Sequence, residues 1–153
     1  HLFPSAAPVF ARGSEGAELH PDIARRPQDL RIEQRVPSAL TGTPLGAWLK
    51  ERGIDTLSIV GYMTHNCDDS TARQAHHEGW KGELLHDASG SLPYRNAIGA
   101  ATAEEIHRVF TVVMHTGFAA VASTDDWLAA VQRGEALQPD NVFLSNQRAV
   151  SAA

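Results

Sequence analysis

A chain of 153 residues with 42% apolar and 20% charged side chains is long enough for one domain with a real core and has the balance of a globular protein. Its formal net charge of −5, pI of about 5.9 and scattered basic residues argue against a nucleic-acid partner or an anionic membrane surface. No apolar run approaches a membrane span, no signal peptide is visible, and the single cysteine excludes an internal disulfide framework and suits a reducing cytoplasm.

In chain order, His1 to Phe10 carries no helical or strand period, and the glycines, prolines and charges of residues 11–28 predict an exposed loop. A structureless opening of that length is uncommon, so either it packs as a functional loop or the domain begins upstream. Leu30, Ile32 and Gln34 alternate with Arg31 and Glu33, which predicts a short strand. Thr43 is an N-cap with Pro44 at the first helical position. Leu45, Trp48 and Leu49 form one helical face, and Gly53 closes it.

Leu57, Ile59 and Val60 form an apolar run suited to a strand buried in a parallel sheet, closed by Gly61. Asp68, Asp69, Ser70 and Thr71 fill a first helical turn, and Gly79 ends that helix. Trp80 to Leu85 predicts the next strand, ending at Asp87. Residues 88–101 predict a long loop that includes Tyr94. Thr102 and Glu105 form a capping box before the core stripe Ile106, Val109, Phe110 and Val113. A small-residue strand at 118–122 and a last helix from Thr124 with Trp127, Leu128 and Val131 follow. The expected organisation is one domain over residues 1–134 and an arm or tail over 135–153, where Val142, Phe143 and Leu144 could dock.

Strands alternating with helices predict an α/β domain built on a parallel sheet, whose site lies at the carboxyl ends of the strands. Gln34, Cys67 and Asp87 fall near predicted strand ends. A thiol at a helix N-terminus sees the macrodipole and free N–H groups, which favour thiolate and can hold an oxyanion. Asp68 and Asp69 oppose this by repulsion. The plain alternative is that Cys67 packs as a small buried apolar residue.

The segment Gly61-Tyr-Met-Thr-His-Asn-Cys67-Asp-Asp-Ser-Thr-Ala-Arg-Gln-Ala75 resembles the nucleophile turn of the isochorismatase-like cysteine hydrolases, Gly-x-x-Thr-x-x-Cys followed by a helix. Pro37 to Leu45 and His86 to Ala88 continue the resemblance, which spans most of residues 12–131. It implies a three-layer α-β-α fold with helices on both faces of the sheet. It also implies a cysteine-dependent hydrolase of a small amide or related substrate, and a homo-oligomer without a cofactor. Cys67 takes the nucleophile position, while Met63 and Cys67 offer the backbone N–H groups of the oxyanion hole. A cis peptide after Tyr62 is implied as well.

Two positions depart from the family. The place of its lysine, three residues before Pro37, is Gln34, which donates a hydrogen bond but carries no charge; otherwise Gln34 is an ordinary polar strand-end residue. Its aspartate, borne on an opening strand, has no counterpart, so the domain is expected to lack its first strand and helix. Arg35 is adjacent, but alternation turns it away. Asp87 is expected to fix a turn.

Tyr62, Thr64, His65, Asn66 and Tyr94 are candidate substrate-binding residues. His65, Asn66 and Tyr94 have equally plain roles in stabilising the turn or packing under the loop. Trp48 and Trp127 are core or interface residues. His76 and His77 are adjacent on a helix and face different ways, and no metal motif or Gly-x-Gly-x-x-Gly is present, so neither a metal nor a nucleotide is expected. The rivals to a hydrolase are a non-catalytic relative that binds a small molecule or partner, and an α/β binding domain whose cysteine is structural.

Overall fold

The computed structural model describes residues 10–152, and the opening His1–Val9 lies outside the described residues. A 3-10 turn at Glu15–Ala17 and helix α1 (Pro21–Ala24) occupy the segment expected to be loop. Helix α2 (Leu45–Glu51) follows one residue later than expected, so Pro44 rather than Thr43 holds the N-cap position; Thr43 Oγ1, just before it, accepts from the Leu45 N–H at 3.3 Å. Strand β1 (Thr56–Tyr62) leads through a π-helical turn, Thr64–Asp68, into α3 (Asp69–His77). Then come β2 (Lys81–Gly90), a hairpin of β3 (Tyr94–Asn96) and β4 (Gly99–Ala101), α4 (Ala103–His115) and β5 (Ala120–Ala122). Helices α5 (Thr124–Arg133) and α6 (Val142–Ser151) complete the order.

β1, β2 and β5 form a parallel sheet with β2 in the centre. Alternate residues face opposite sides, so Ile59, Leu84 and Val121 share one face and Ser58, Glu83 and Ala120 the other. Ala72 of α3 and Met114 of α4 bury against Leu84 and Ala119 on the first face. α5 lies on the second, where the Trp127 indole donates to Ser58 Oγ at 3.0 Å and Glu83 Oε2 at 2.9 Å. That pairing satisfies a buried carboxylate that would otherwise cost several kcal/mol. The layers are therefore helix, sheet and helix, the α/β fold expected. Leu40, Leu49, Ala75 and Trp80 form a neighbouring cluster that seats α2, and the Trp80 indole donates to the Ile54 carbonyl at 3.0 Å.

Several local expectations are corrected. Leu30 to Gln34 is extended but joins no strand ladder. Ile32 and Gln34 turn inward and Arg35 turns out, because the alternation specified a one-sided extended segment rather than a partner edge. β1 is not buried on both faces: among the described residues only β2 pairs with it, and Val60 is 55% exposed. β2 runs on to Gly90 through a register break, Ile59 lying opposite Leu84 and Gly61 opposite Ser89. Bulges of this kind re-aim a strand end and leave little sequence trace. The predicted loop 88–101 holds the β3–β4 hairpin, hidden because Asn96-Ala-Ile-Gly99 lacks a standard two-residue turn signature.

On α4, Ile106 and Phe110 turn toward the body, but Val109 and Val113 are 48% and 42% exposed rather than core. The last helix does start at Thr124 as expected, with Ser123 as its cap, the Ser123 Oγ accepting from the Asp126 N–H at 3.1 Å. The predicted tail contains α6, capped by Asn141 Oδ1 on the Leu144 N–H at 2.9 Å.

Candidate functional site

The apolar run of β1 delivers the chain to the carboxyl end of the sheet, where ligands sit in open α/β folds. Gly61 there holds φ +138, a backbone conformation that L side chains rarely adopt. The Tyr62–Met63 peptide is cis. The π turn then carries Thr64, His65, Asn66 and Cys67 into α3, and turns of this kind gather at functional sites.

Thr64 is fully buried and pins the turn. Its Oγ1 donates to the Gly90 carbonyl at 2.9 Å. The hydroxyl proton is thus spent, so His107 Nδ1, 2.8 Å away, is the donor in their contact and α4 is tied to the turn as well. His65 Nδ1 meets Ser91 Oγ at 3.0 Å and its Nε2 meets the Tyr94 hydroxyl at 2.8 Å. The His65 ring also stands edge-on to Tyr94 and Phe110, with centroids 5.1 and 5.9 Å away. Burial pushes the His65 pKa below its ordinary value against the pull of the Asp69 carboxylate. The Tyr62 hydroxyl donates to the Ser91 carbonyl at 3.4 Å, and its ring lies against Gly90, where a Cβ would come within 3.5 Å.

Cys67 is half-buried and opens on the other side of the turn. A cleft of about 400 Å³ is lined there by Gln34, Tyr62, Cys67, Asp68 and Thr71, with Ile32 and the β1 residues Ile59 and Val60. The Gln34 amide donates to the Pro37 carbonyl at 3.2 Å and also favours the ionised sulfur, as does the Met63 N–H. Burial is the largest influence on the thiol and, with the Asp68 carboxylate beside it, pushes the pKa up overall.

Asp68 is 4% exposed, and burial pushes its pKa up to about 6 despite the nearby Ser89 hydroxyl. Among the described residues its Oδ2 and Ser89 Oγ both lack an aligned hydrogen-bond partner.

The structure thus brings Cys67, Gln34 and Tyr62 to one cleft and places His65 and Tyr94 on the opposite flank of the turn. Met63 joins the flanks: its N–H faces the thiol and its Sδ lies 3.8 Å from the Tyr94 hydroxyl. Asn66 is half-buried between them. Asp87 accepts from the Thr124 N–H and hydroxyl at 2.8 to 3.1 Å, so it fixes the start of α5 rather than the turn that follows it.

Ser91, His107 and the buried acid of Asp68 were not singled out from sequence as site residues. Only Asp68, next to the cysteine, carried a local signal. Among the described residues no three His, Cys, Asp or Glu side chains are grouped to hold a metal ion, and no helix is long and apolar enough to cross a membrane.

An α/β sheet with a cysteine on a strand–turn–helix elbow at its carboxyl edge defines the class. The isochorismatase domain model matches residues 3–126. A solved isochorismatase-type protein from Burkholderia xenovorans LB400 is 56% identical with a TM-score of 0.96, covering 99% of this chain and 73% of that one. The Bacillus subtilis isochorismatase family protein YddQ is 27% identical over 122 residues, 80% of this chain and 68% of its own length. The ureidoacrylate amidohydrolase RutB of Methylorubrum extorquens is 32% identical over 81 residues, 53% of this chain and 33% of RutB. The chain belongs to the isochorismatase family, whose members are hydrolases.

Proposed function

We propose that this chain is a cysteine-dependent hydrolase of a small amide or related substrate. The observation that carries the reading is Cys67 in an open cleft at the end of β1, faced by the Gln34 amide and the Met63 N–H. The RutB likeness supports an amide as the substrate class. In this mechanism the Cys67 thiolate attacks the carbonyl carbon, and its oxyanion lies toward the backbone N–H groups of Met63 and Cys67. The C–N bond breaks, the amine leaves with a proton, and water then cleaves the thioester to acid and thiol. Among the described residues only β2 pairs with β1, and a further strand along its other edge is the route by which the family's carboxylate would reach the sulfur.

The test is turnover of a panel of small amides by the intact gene product against Cys67→Ala. Loss of at least roughly a thousandfold in kcat is expected, together with an acyl adduct on the wild-type mass that the variant lacks. Undiminished turnover in Cys67→Ala sinks the proposal. The second reading, a non-catalytic relative that binds a small molecule or partner, is favoured by the raised thiol pKa and by Gln34 at the lysine position. Ligand binding without turnover in both forms would establish it.

A further inference from the structure

We propose that Asp68 makes the Cys67 cleft select molecules that carry a positive charge, so that the amide hydrolysed there bears an ammonium or similar cationic nitrogen. The word amide rests on the hydrolase reading; the sign of the charge rests on the cleft alone.

The polar groups around the cleft are committed within the chain, with one exception beside the thiol. Ser58 Oγ donates to Glu83 Oε2 at 2.6 Å and accepts from the Trp127 indole at 3.0 Å. Thr71 Oγ1 accepts from the Ala39 N–H at 3.0 Å. The Gln34 amide donates to the Pro37 carbonyl, and the Tyr62 hydroxyl to the Ser91 carbonyl. Among the described residues, Asp68 is the one charged side chain lining the cleft, and its Oδ2 is unpartnered. No basic side chain in that lining opposes it, because Gln34 stands at the lysine position. His65 turns to the other flank of the turn, and its lowered pKa keeps it mostly neutral at pH 7. The remaining wall is largely apolar, with Ile32, Leu45, Leu57, Ile59 and Val60. Apolar surroundings strengthen the field of a charge and keep salt from screening it.

An acid in a first helical turn has a plain use, since negative charge suits the N-terminus of α3. That use does not account for Asp68. Its side chain caps no N–H of the helix. Asp69 already serves the helix end and is paired with Arg73 at 2.8 Å. An acid that only answers the dipole does so from solvent without losing hydration, whereas Asp68 is 4% exposed. Burial lifts its pKa to about 6, which still leaves the carboxylate mostly ionised at neutral pH. A cation in the cleft offsets the hydration that this carboxylate has lost, and an anion there meets repulsion.

The test compares two methanethiosulfonates of similar size, one bearing a trimethylammonium and one a sulfonate, reacting with the intact gene product. Each rate is followed at Cys67 by peptide mass. The ratio of the two rates, divided by the same ratio for a free thiol, cancels the pKa of Cys67, because both reagents meet the same thiolate. Wild type should favour the cationic reagent by at least roughly tenfold on this corrected scale. Asp68→Asn should bring the corrected ratio near one, and Gln34→Lys, which sets a cation on the same wall, should lower it as well. In turnover, an ammonium-bearing amide should exceed its uncharged isostere at least about tenfold in kcat/KM, and Asp68→Asn should erase that preference chiefly through KM. A corrected ratio near one in wild type, a ratio that neither substitution moves, or a preference for the uncharged amide would each overturn the proposal. A large ratio that falls in the variants, with no amide turned over, would uphold the charge selection and sink the hydrolase reading instead.

Discussion

On the hairpin flank of the turn, Thr64 and His65 commit their side-chain polar atoms to protein partners: Gly90, His107, Ser91 and Tyr94. On the β1 flank, Asp68 Oδ2 is buried without a partner among the described residues, and the Gln34 amide, bonded to the Pro37 carbonyl, lines the cleft with the sulfur. The same five-residue turn thus has a saturated side and an unsaturated side. Saturated buried polar networks fix geometry, whereas an orphaned buried group marks a place that stores cost or awaits a ligand. The hairpin flank is the scaffold that aims Cys67, and the β1 flank is where chemistry has polar capacity left.

Substitutions can break that contrast, and the largest effect is expected on the saturated side. Thr64→Val removes a hydroxyl that serves two partners and leaves the Gly90 carbonyl and the His107 N–H unpaired. A loss of about 1–3 kcal/mol in urea unfolding is expected. A loss below a few tenths would mean that the pin is dispensable.

Asp68→Asn should move the other way. The folded Asp68 pKa of about 6 lies above its ordinary 3.8, so the native state holds the proton more tightly. Stability is then lost as pH rises from about 4 to about 6. Asn has no charge to bury, so the variant should gain on the order of 1–2 kcal/mol at pH 8 and lack that pH dependence relative to wild type. It should also alkylate faster at neutral pH, because the carboxylate that raises the Cys67 pKa is gone. Equal alkylation rates would show that Asp68 does not govern the thiol.

Gln34→Lys brings a cation to the unsaturated side. The alkylation profile of Cys67 should shift to lower pH by about one unit, and superimposable profiles would remove position 34 from control of the sulfur. The smallest effect belongs to Tyr94→Phe, which deletes one half-exposed hydrogen bond to His65 Nε2. About 0.5–1 kcal/mol is expected, read as faster amide exchange confined to β3 and β4. Protection unchanged there would mean that the hairpin does not depend on the His65 link.

How much of this was legible in the sequence follows from how local each signal is. Capping is settled within a few residues, so the Thr102–Glu105 box read correctly from letters alone. The apolar run before Gly61, the cysteine after it and the alternation of strands with helices likewise specify the α/β class and the place of the turn. Alternation at Leu30 to Gln34 specified which side faces inward, but a strand also needs a partner edge, and no residue pattern in one segment announces its neighbour. The same limit explains Val109 and Val113, whose spacing is apolar and helical while their exposure depends on what else covers α4. Cys67 was readable as a candidate because its chemistry is intrinsic. The meeting of Gln34 with its sulfur, the burial that lifts Asp68 to about 6 and the bonds from Thr64 and His65 across 26 to 43 residues were decided by tertiary packing. Desolvation and long-range hydrogen bonds exist only once distant segments are brought together.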